Sequence, residues 1–283
     1  MRAPMRIDKA ISVHLVHPCL KLSARISGRH VPVLMYHSIS GEPEPSGHPY
    51  FKVNTLPKVF QRHLEILRDE GYKPLALTEV YSAFQRGNTD RHVVITFDDG
   101  LLDFYTNAYP LLRRFGFPAT VFLPVGYIGE RPIPNRENRL SMAWSHVREM
   151  SNARVDFGSH SVTHPQLAHV DHSVMEREIA DSKKMIEDKL CKPVDSFAYP
   201  LRFPEENREF VARYRELLMK AGYRFGVTTI IGTISATDDP FTLKRLPLTS
   251  CDDSKLFIAK LAGAYNWLHL PQIVVKKIRR FVR

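Results

Sequence analysis

Cysteine is scarce. Cys19, Cys191 and Cys251 are the only three in 283 residues, and they lie far apart. An odd, scattered set excludes a disulfide framework and a cysteine zinc knuckle, and it fits a reducing compartment. No apolar run is long enough to span a bilayer. The first 28 residues do not read as a secretory signal: Arg2, Arg6, Asp8 and Lys9 are mixed with short apolar patches, which His14, His17 and Pro18 interrupt. Internal repeats, low-complexity tracts and linkers are all missing. Acidic residues are too few to balance the basic ones, and the formal net charge is +10. Such an excess favours an anionic partner or simply a solvated basic surface. The basic residues are not interleaved with aromatics in a repeated pattern, so no nucleic-acid partner is expected.

What the chain does have is alternation. Apolar or β-branched runs at 31–36, 92–97, 119–123, 155–158, 196–199, 225–228 and 245–248 read as short buried strands. Between them lie helical patterns. Phe60, Leu64 and Leu67 recur at helical spacing before Gly71. Residues 103–115 close at Gly116, and 210–221 end at Gly222. Ser173 and Glu176 suggest a capping box opening a helix to about Leu190. Residues 124–140 read as a long loop, rich in Pro, Gly, Asn and Arg. Strand and helix repeated this often predict an α/β fold whose parallel sheet closes, or nearly closes, into a single-domain barrel. The division expected is an N-terminal extension (1–30), a catalytic domain (31–250) and a basic helical C-terminal extension (251–283). In that last part, 270–283 (L-P-Q-I-V-V-K-K-I-R-R-F-V-R) has the make-up of a helix able to lie on an anionic membrane surface, or to pack on the barrel with its basic face in water. A cytoplasmic location, peripheral to the inner face of the membrane, is the expectation from the basic tail and an N-terminus that does not read as a secretory signal.

Two constellations carry chemistry. Thr96-Phe97-Asp98-Asp99-Gly100 ends a strand. Adjacent carboxylates repel and resist desolvation unless a cation or hydrogen bonds hold them, and a turn at Gly100 can bring both to one place. Alone, the motif also fits a solvated Asp-Asp-Gly turn. His160-Ser161-Val162-Thr163-His164 follows another strand, with His169 and His172 close by as alternative ligands. Both motifs come after strands and before helical patterns, so both belong at the same mouth of a parallel barrel. One carboxylate and two imidazoles make a three-ligand site with open positions, the mark of a catalytic metal. The second carboxylate is then free to act as a base on bound water.

With these residues the chain resembles the polysaccharide deacetylase family, the NodB-type carbohydrate esterases that de-N-acetylate glycans. The resemblance covers residues 31–248. It implies a distorted (β/α) barrel of TIM-barrel-like form and a divalent metal, usually zinc. It makes Asp98 the base, and Asp99, His160 and His164 the ligands. Val31-Pro-Val-Leu-Met-Tyr-His37 is similar to the branch acting on poly-N-acetylglucosamine exopolysaccharides, and makes His37 the acid that protonates the leaving amine. Ser196-Phe-Ala-Tyr-Pro200 resembles the third motif, with Ala198 where an Arg is common and Leu201 where a Tyr is common. The backbone N–H of Leu201 can still serve an oxyanion, since that role needs no side chain. Arg245 is the candidate to orient Asp98 in place of the missing Arg. The family's Asp-Trp motif is absent, and Trp144 is either a pocket wall or a core residue. The expected activity is removal of N-acetyl groups from a sugar polymer. A same-fold amide hydrolase of small or lipid-linked amino sugars, and a non-catalytic glycan- or membrane-binding relative, stay open.

Overall fold

The computed structural model describes residues 6–22, 30–42, 44, 52–87, 89–133 and 139–273. Ten strands follow in chain order among them: β1 (Val33–Tyr36), β2 (Ser38–Ile39), β3 (Asn54–Thr55), β4 (Lys73–Leu75), β5 (His92–Phe97), β6 (Ala119–Leu123), β7 (Val155–Ser159), β8 (Ser196–Ala198), β9 (Phe225–Ile231) and β10 (Leu243–Pro247). β1 pairs in parallel with both β10 and β5, and so closes a seven-stranded parallel barrel in the order β1-β10-β9-β8-β7-β6-β5. β4 adds to β5 from outside the ring, and β2 pairs with β3 separately.

Every residue of β5 and β6 is buried. A strand covered on both faces needs apolar groups at odd and even positions alike, which explains the continuous V-V-I and T-V-F-L runs. Alternation then sorts them. Val94, Phe122, Ala198 and Val227 meet in one cluster inside the barrel. Val93, Ile95, Phe97 and Val121 join a larger cluster shared with the surrounding helices.

Helices cover the outside at Pro57–Asp69, Tyr109–Phe115, Trp144–Ser151, His172–Leu190, Arg208–Lys220 and Ser254–Leu261. The predicted capping box does not form. The helix at His172 starts after Asp171 without a side-chain cap, and Glu176 pairs with Lys220 instead. Two π-turns, Ser12–Val16 and Phe104–Ala108, each immediately precede an X-Pro step, at Pro18 and Pro110. A proline ring collides with the carbonyl four residues back, and widening the preceding turn relieves that contact.

The long loop expected at 124–140 is tied down at both ends, by bridges Pro132↔Leu140 and Leu101↔Ser141; residues 134–138 fall outside the described part. The N-terminal extension is helical over residues 7–22 and lies against the C-terminal part. Lys9 Nζ is 2.6 Å from Asp253, Trp267 donates to Ser12 Oγ at 3.0 Å, and Arg6 and Tyr265 both bond Asp8. Of the basic stretch 270–283, expected to lie on a membrane or to pack on the barrel, residues 274–283 fall outside the described residues. No helix of the described residues is long and apolar enough to cross a membrane.

Candidate active site

Strand register gathers the site at the carboxyl end of the barrel. Tyr36 pairs with Phe97, so the residues that follow, His37 and Asp98, lie side by side. Ser159 pairs with Phe197, which sets His160 beside Ala198. Both carboxylates reach the mouth because the chain turns sharply after Asp98. Asp99 has φ +71° and Gly100 φ +59°. A β-carbon at Gly100 would stand 2.8 Å from Leu123 Cδ2 and would force that side chain to shift, so close approach and left-handed φ together favour glycine at this corner. The turn therefore begins one residue earlier than the sequence suggested, at Asp99 itself.

Asp99, His160 and His164 converge. Nε2 of His160 is 3.6 Å from Asp99 Oδ1, Nε2 of His164 is 3.4 Å from the same oxygen, and the two Nε2 atoms are 3.2 Å apart. A tetrahedral ion with bonds of about 2.0–2.1 Å needs donors about 3.3–3.4 Å apart. The three atoms fit that spacing. His160 is fixed from behind, where its Nδ1 meets the Ala198 carbonyl at 2.8 Å, leaving Nε2 for the centre. Burial foremost pushes the His160 pKa down, against the pull of Asp98 and Asp99, and keeps the ring neutral as a ligand requires. His169 and His172 are exposed and do not join the cluster.

The loop between the histidines is unusual. Ser161 and His164 both take left-handed φ values, +67° and +57°. Such a conformation costs a non-glycine residue roughly 1–2 kcal/mol. It is held by hydrogen bonds: His164 N–H donates to Ser161 Oγ, and Val162 and Thr163 N–H both donate to Glu178.

Asp98 is 2% exposed and is gripped by a fully buried Arg245. Nη1 donates to Oδ1 at 2.6 Å and Nη2 to Oδ2 at 2.7 Å, a bidentate pair. Arg245 is itself held, through Nε on the Thr228 carbonyl at 2.9 Å. Burial, the largest single influence, drives the Asp98 pKa upward, but Arg245, His160 and His37 together outweigh it and leave the carboxyl below its ordinary value. Arg245 is the third residue of β10 rather than at its start, and the register shifts between Leu243 and Arg245. Ala198, where the family resemblance implies an Arg, has its side chain in the same interior cluster as Phe122, over whose ring the Arg245 guanidinium lies at 5.8 Å. The cation thus enters the barrel from a different strand.

His37 Nε2 stands 3.9 Å from Asp98 Oδ2, beyond hydrogen-bond reach, with its side chain 15% exposed. Leu201 follows β8 with φ +60° and is exposed at the mouth. Trp144 opens a helix and packs, partly buried, against the outer core. Two supports were not visible in the sequence, the Ala198 carbonyl and Glu178. A backbone acceptor leaves no mark in side-chain chemistry, and Glu178 belongs to no local motif.

A family model described as polysaccharide deacetylase matches residues 85–226. YxkH of Bacillus subtilis (strain 168), named as a polysaccharide deacetylase, is 31% identical over 222 residues, covering 76% of this chain and 70% of that protein. The poly-beta-1,6-N-acetyl-D-glucosamine N-deacetylase of Escherichia coli (strain K12) is 29% identical over 139 residues, which cover 45% of this chain and only 20% of that protein. Among solved structures, the Streptococcus pyogenes deacetylase PplD in complex with acetate matches with a TM-score of 0.69 at 26% identity, covering 82% of this chain and 98% of that one.

Proposed function

The chain belongs to the polysaccharide deacetylase family and is a carbohydrate deacetylase acting on N-acetylated glycans; from that premise we propose that it hydrolyses the acetamide of an N-acetylglucosamine polymer of an exopolysaccharide or cell-envelope glycan with the help of a divalent metal. The observation that carries this reading is the juxtaposition of two differently equipped carboxylates. Asp99 faces two imidazole nitrogens, whereas Asp98, the next residue, faces a guanidinium. One is suited to a cation and the other to a proton.

Asp99, His160 and His164 would hold the metal, most plainly zinc given one oxygen and two nitrogen donors. When bound, that ion supplies Lewis-acid polarisation of the amide and a more acidic water. Asp98, kept ionised and aimed by Arg245, accepts the water's proton at a carboxylate oxygen. The backbone N–H of Leu201 would donate to the oxyanion that develops on the acetyl carbonyl oxygen. His37, across from Asp98, delivers a proton to the departing amine, and acetate is released. The likeness to the Escherichia coli poly-beta-1,6-N-acetyl-D-glucosamine enzyme supports the polymer as substrate. The basic run at 270–283 and the net charge of +10 support a peripheral place on an anionic membrane as part of the proposal.

The test is acetate release from a panel: N-acetylglucosamine oligomers against nucleotide-linked and lipid-linked N-acetyl sugars, each with and without chelator. Release from oligomers that chelator abolishes and added metal restores is the expected result. Release only from small or lipid-linked sugars would move the substrate, and chelator-resistant turnover would remove the metal.

A further inference from the structure

The metal-ligand loop is shaped by a residue outside every motif. We propose that Glu178 is a positioning residue for the metal site: its carboxylate sets the conformation of the 160–164 loop, and with it the place of His164. This rests on the metal reading above. Glu178 sits on the helix His172–Leu190 and is 7% exposed. One oxygen, Oε2, accepts from Val162 N at 2.7 Å and from Thr163 N at 2.8 Å, and Oε1 accepts from Thr163 Oγ1 at 2.7 Å. All three donors lie between the two histidines. One turn further along the helix, Ser182 Oγ accepts from Ser159 Oγ at 2.6 Å, and Ser159 Oγ in turn accepts from Ser161 N. One helix face thus holds the loop both at its start and at its middle.

The two histidines depend on this unequally. His160 directly follows β7 and is fixed by the Ala198 carbonyl. His164 sits beyond two left-handed residues, its own φ included, on a stretch whose N–H groups at 162 and 163 end on Glu178. Without that acceptor, two part-buried N–H groups lose their partner and the left-handed turn loses what offsets its strain. The donor atom that moves is His164 Nε2, while Asp99 and His160 keep their places.

Stereochemistry makes a sharp distinction between substitutions. Both backbone donors use a single oxygen, and the third partner is a hydroxyl, which can donate or accept. Glutamine therefore fits: its carbonyl oxygen takes the two N–H groups and its amide donates to Thr163 Oγ1. Alanine offers nothing, and aspartate falls a methylene short.

The experiment titrates Co²⁺ into the metal-free full-length chain, reading the visible absorption of the bound ion and its affinity by competition with a chromogenic chelator. Circular dichroism checks the fold of each metal-free variant. Glu178→Ala is expected to weaken Co²⁺ binding about 10–100-fold and to change the shape of the absorption bands. Glu178→Gln is expected to stay within about threefold of the parent, with parental bands. If the alanine variant does not fold, Glu178→Asp takes its place with the same expectation. A folded alanine or aspartate variant with parental affinity and bands overturns the proposal, as does a glutamine variant as weak as alanine. A parent that binds no Co²⁺ would overturn the metal reading itself, a separate outcome.

Discussion

Consider Arg245→Leu, which removes a guanidinium from the barrel interior and leaves Asp98 at 2% exposure with its counter-charge gone. Breaking one side of a buried pair typically costs about 3–5 kcal/mol, because an uncompensated charge stays behind. That is a large share of a domain's stability of about 5–15 kcal/mol. The double variant Arg245→Leu, Asp98→Asn removes both charges, and should lose less than the two single losses added together. The difference, about 2 kcal/mol or more, is the coupling between the groups. The sign with pH follows from the Asp98 carboxyl lying below its ordinary value in the folded protein. Its pairing stabilises the fold fully above the usual carboxylate pKa of about 4, and that contribution is lost as pH falls through the folded value. In the leucine variant, burial is opposed only by the neighbouring His160 and His37, and the carboxyl moves up relative to the parent. The acid limb of kcat/KM should then move to higher pH, and the stability gap to the parent should narrow on acidification. Urea denaturation of the metal-free proteins at several pH values, with pH–rate profiles, measures both. A loss under about 1 kcal/mol with an unmoved acid limb would refute the role given to Arg245.

Asp98→Asn should bind metal as the parent does yet lose about 10²–10⁴-fold in kcat, measured by acetate release beside a metal assay; parental turnover would remove Asp98 as base. His160→Ala should lose metal and activity together, and a stoichiometric ion in that variant would contradict the ligand set. Gly100→Ala meets both a left-handed φ and Leu123 at 2.8 Å, so thermal unfolding should show a loss of about 1–3 kcal/mol; an unchanged midpoint would contradict the corner's geometry. His37→Ala should lower kcat with little change in KM, and equal effects on both would make His37 a binding residue instead.

The barrel was legible in the chain because most of its strands are buried on both faces and spell themselves out in β-branched runs. The readings at 92–97 and 119–123 agree with β5 and β6 to the residue. β4 was not legible. It is Lys73-Pro-Leu75, short and partly exposed, and it contains a proline that only a position outside the ring tolerates. β9 is seven residues long where the sequence suggested four, since Thr229, Ile230 and Ile231 look the same whether a strand continues or a loop begins. The helix Trp144–Ser151 was missed because it is short and follows an irregular stretch. At the site, Asp98, Asp99, His160 and His164 stood out by their motifs, whereas Glu178 did not. Their mutual distances were not legible, because those depend on register between strands that lie tens of residues apart.

The seam between β1 and β10 brings together parts of the chain some two hundred residues apart, and such long-range pairings are formed late and slowly. As the polypeptide emerges during synthesis, Asp99, His160 and His164 all precede β8, but Arg245 arrives only with the final barrel strand. The side chains of the Asp-His-His cluster are thus encoded in one arc of the ring, with the Ala198 carbonyl that fixes His160 following in β8, whereas Asp98 meets its counter-charge only with β10. On the mechanism proposed above, the strand that completes the cylinder is also the strand that brings Asp98 its counter-charge, so closure of the ring and poising of the proposed base depend on the same segment.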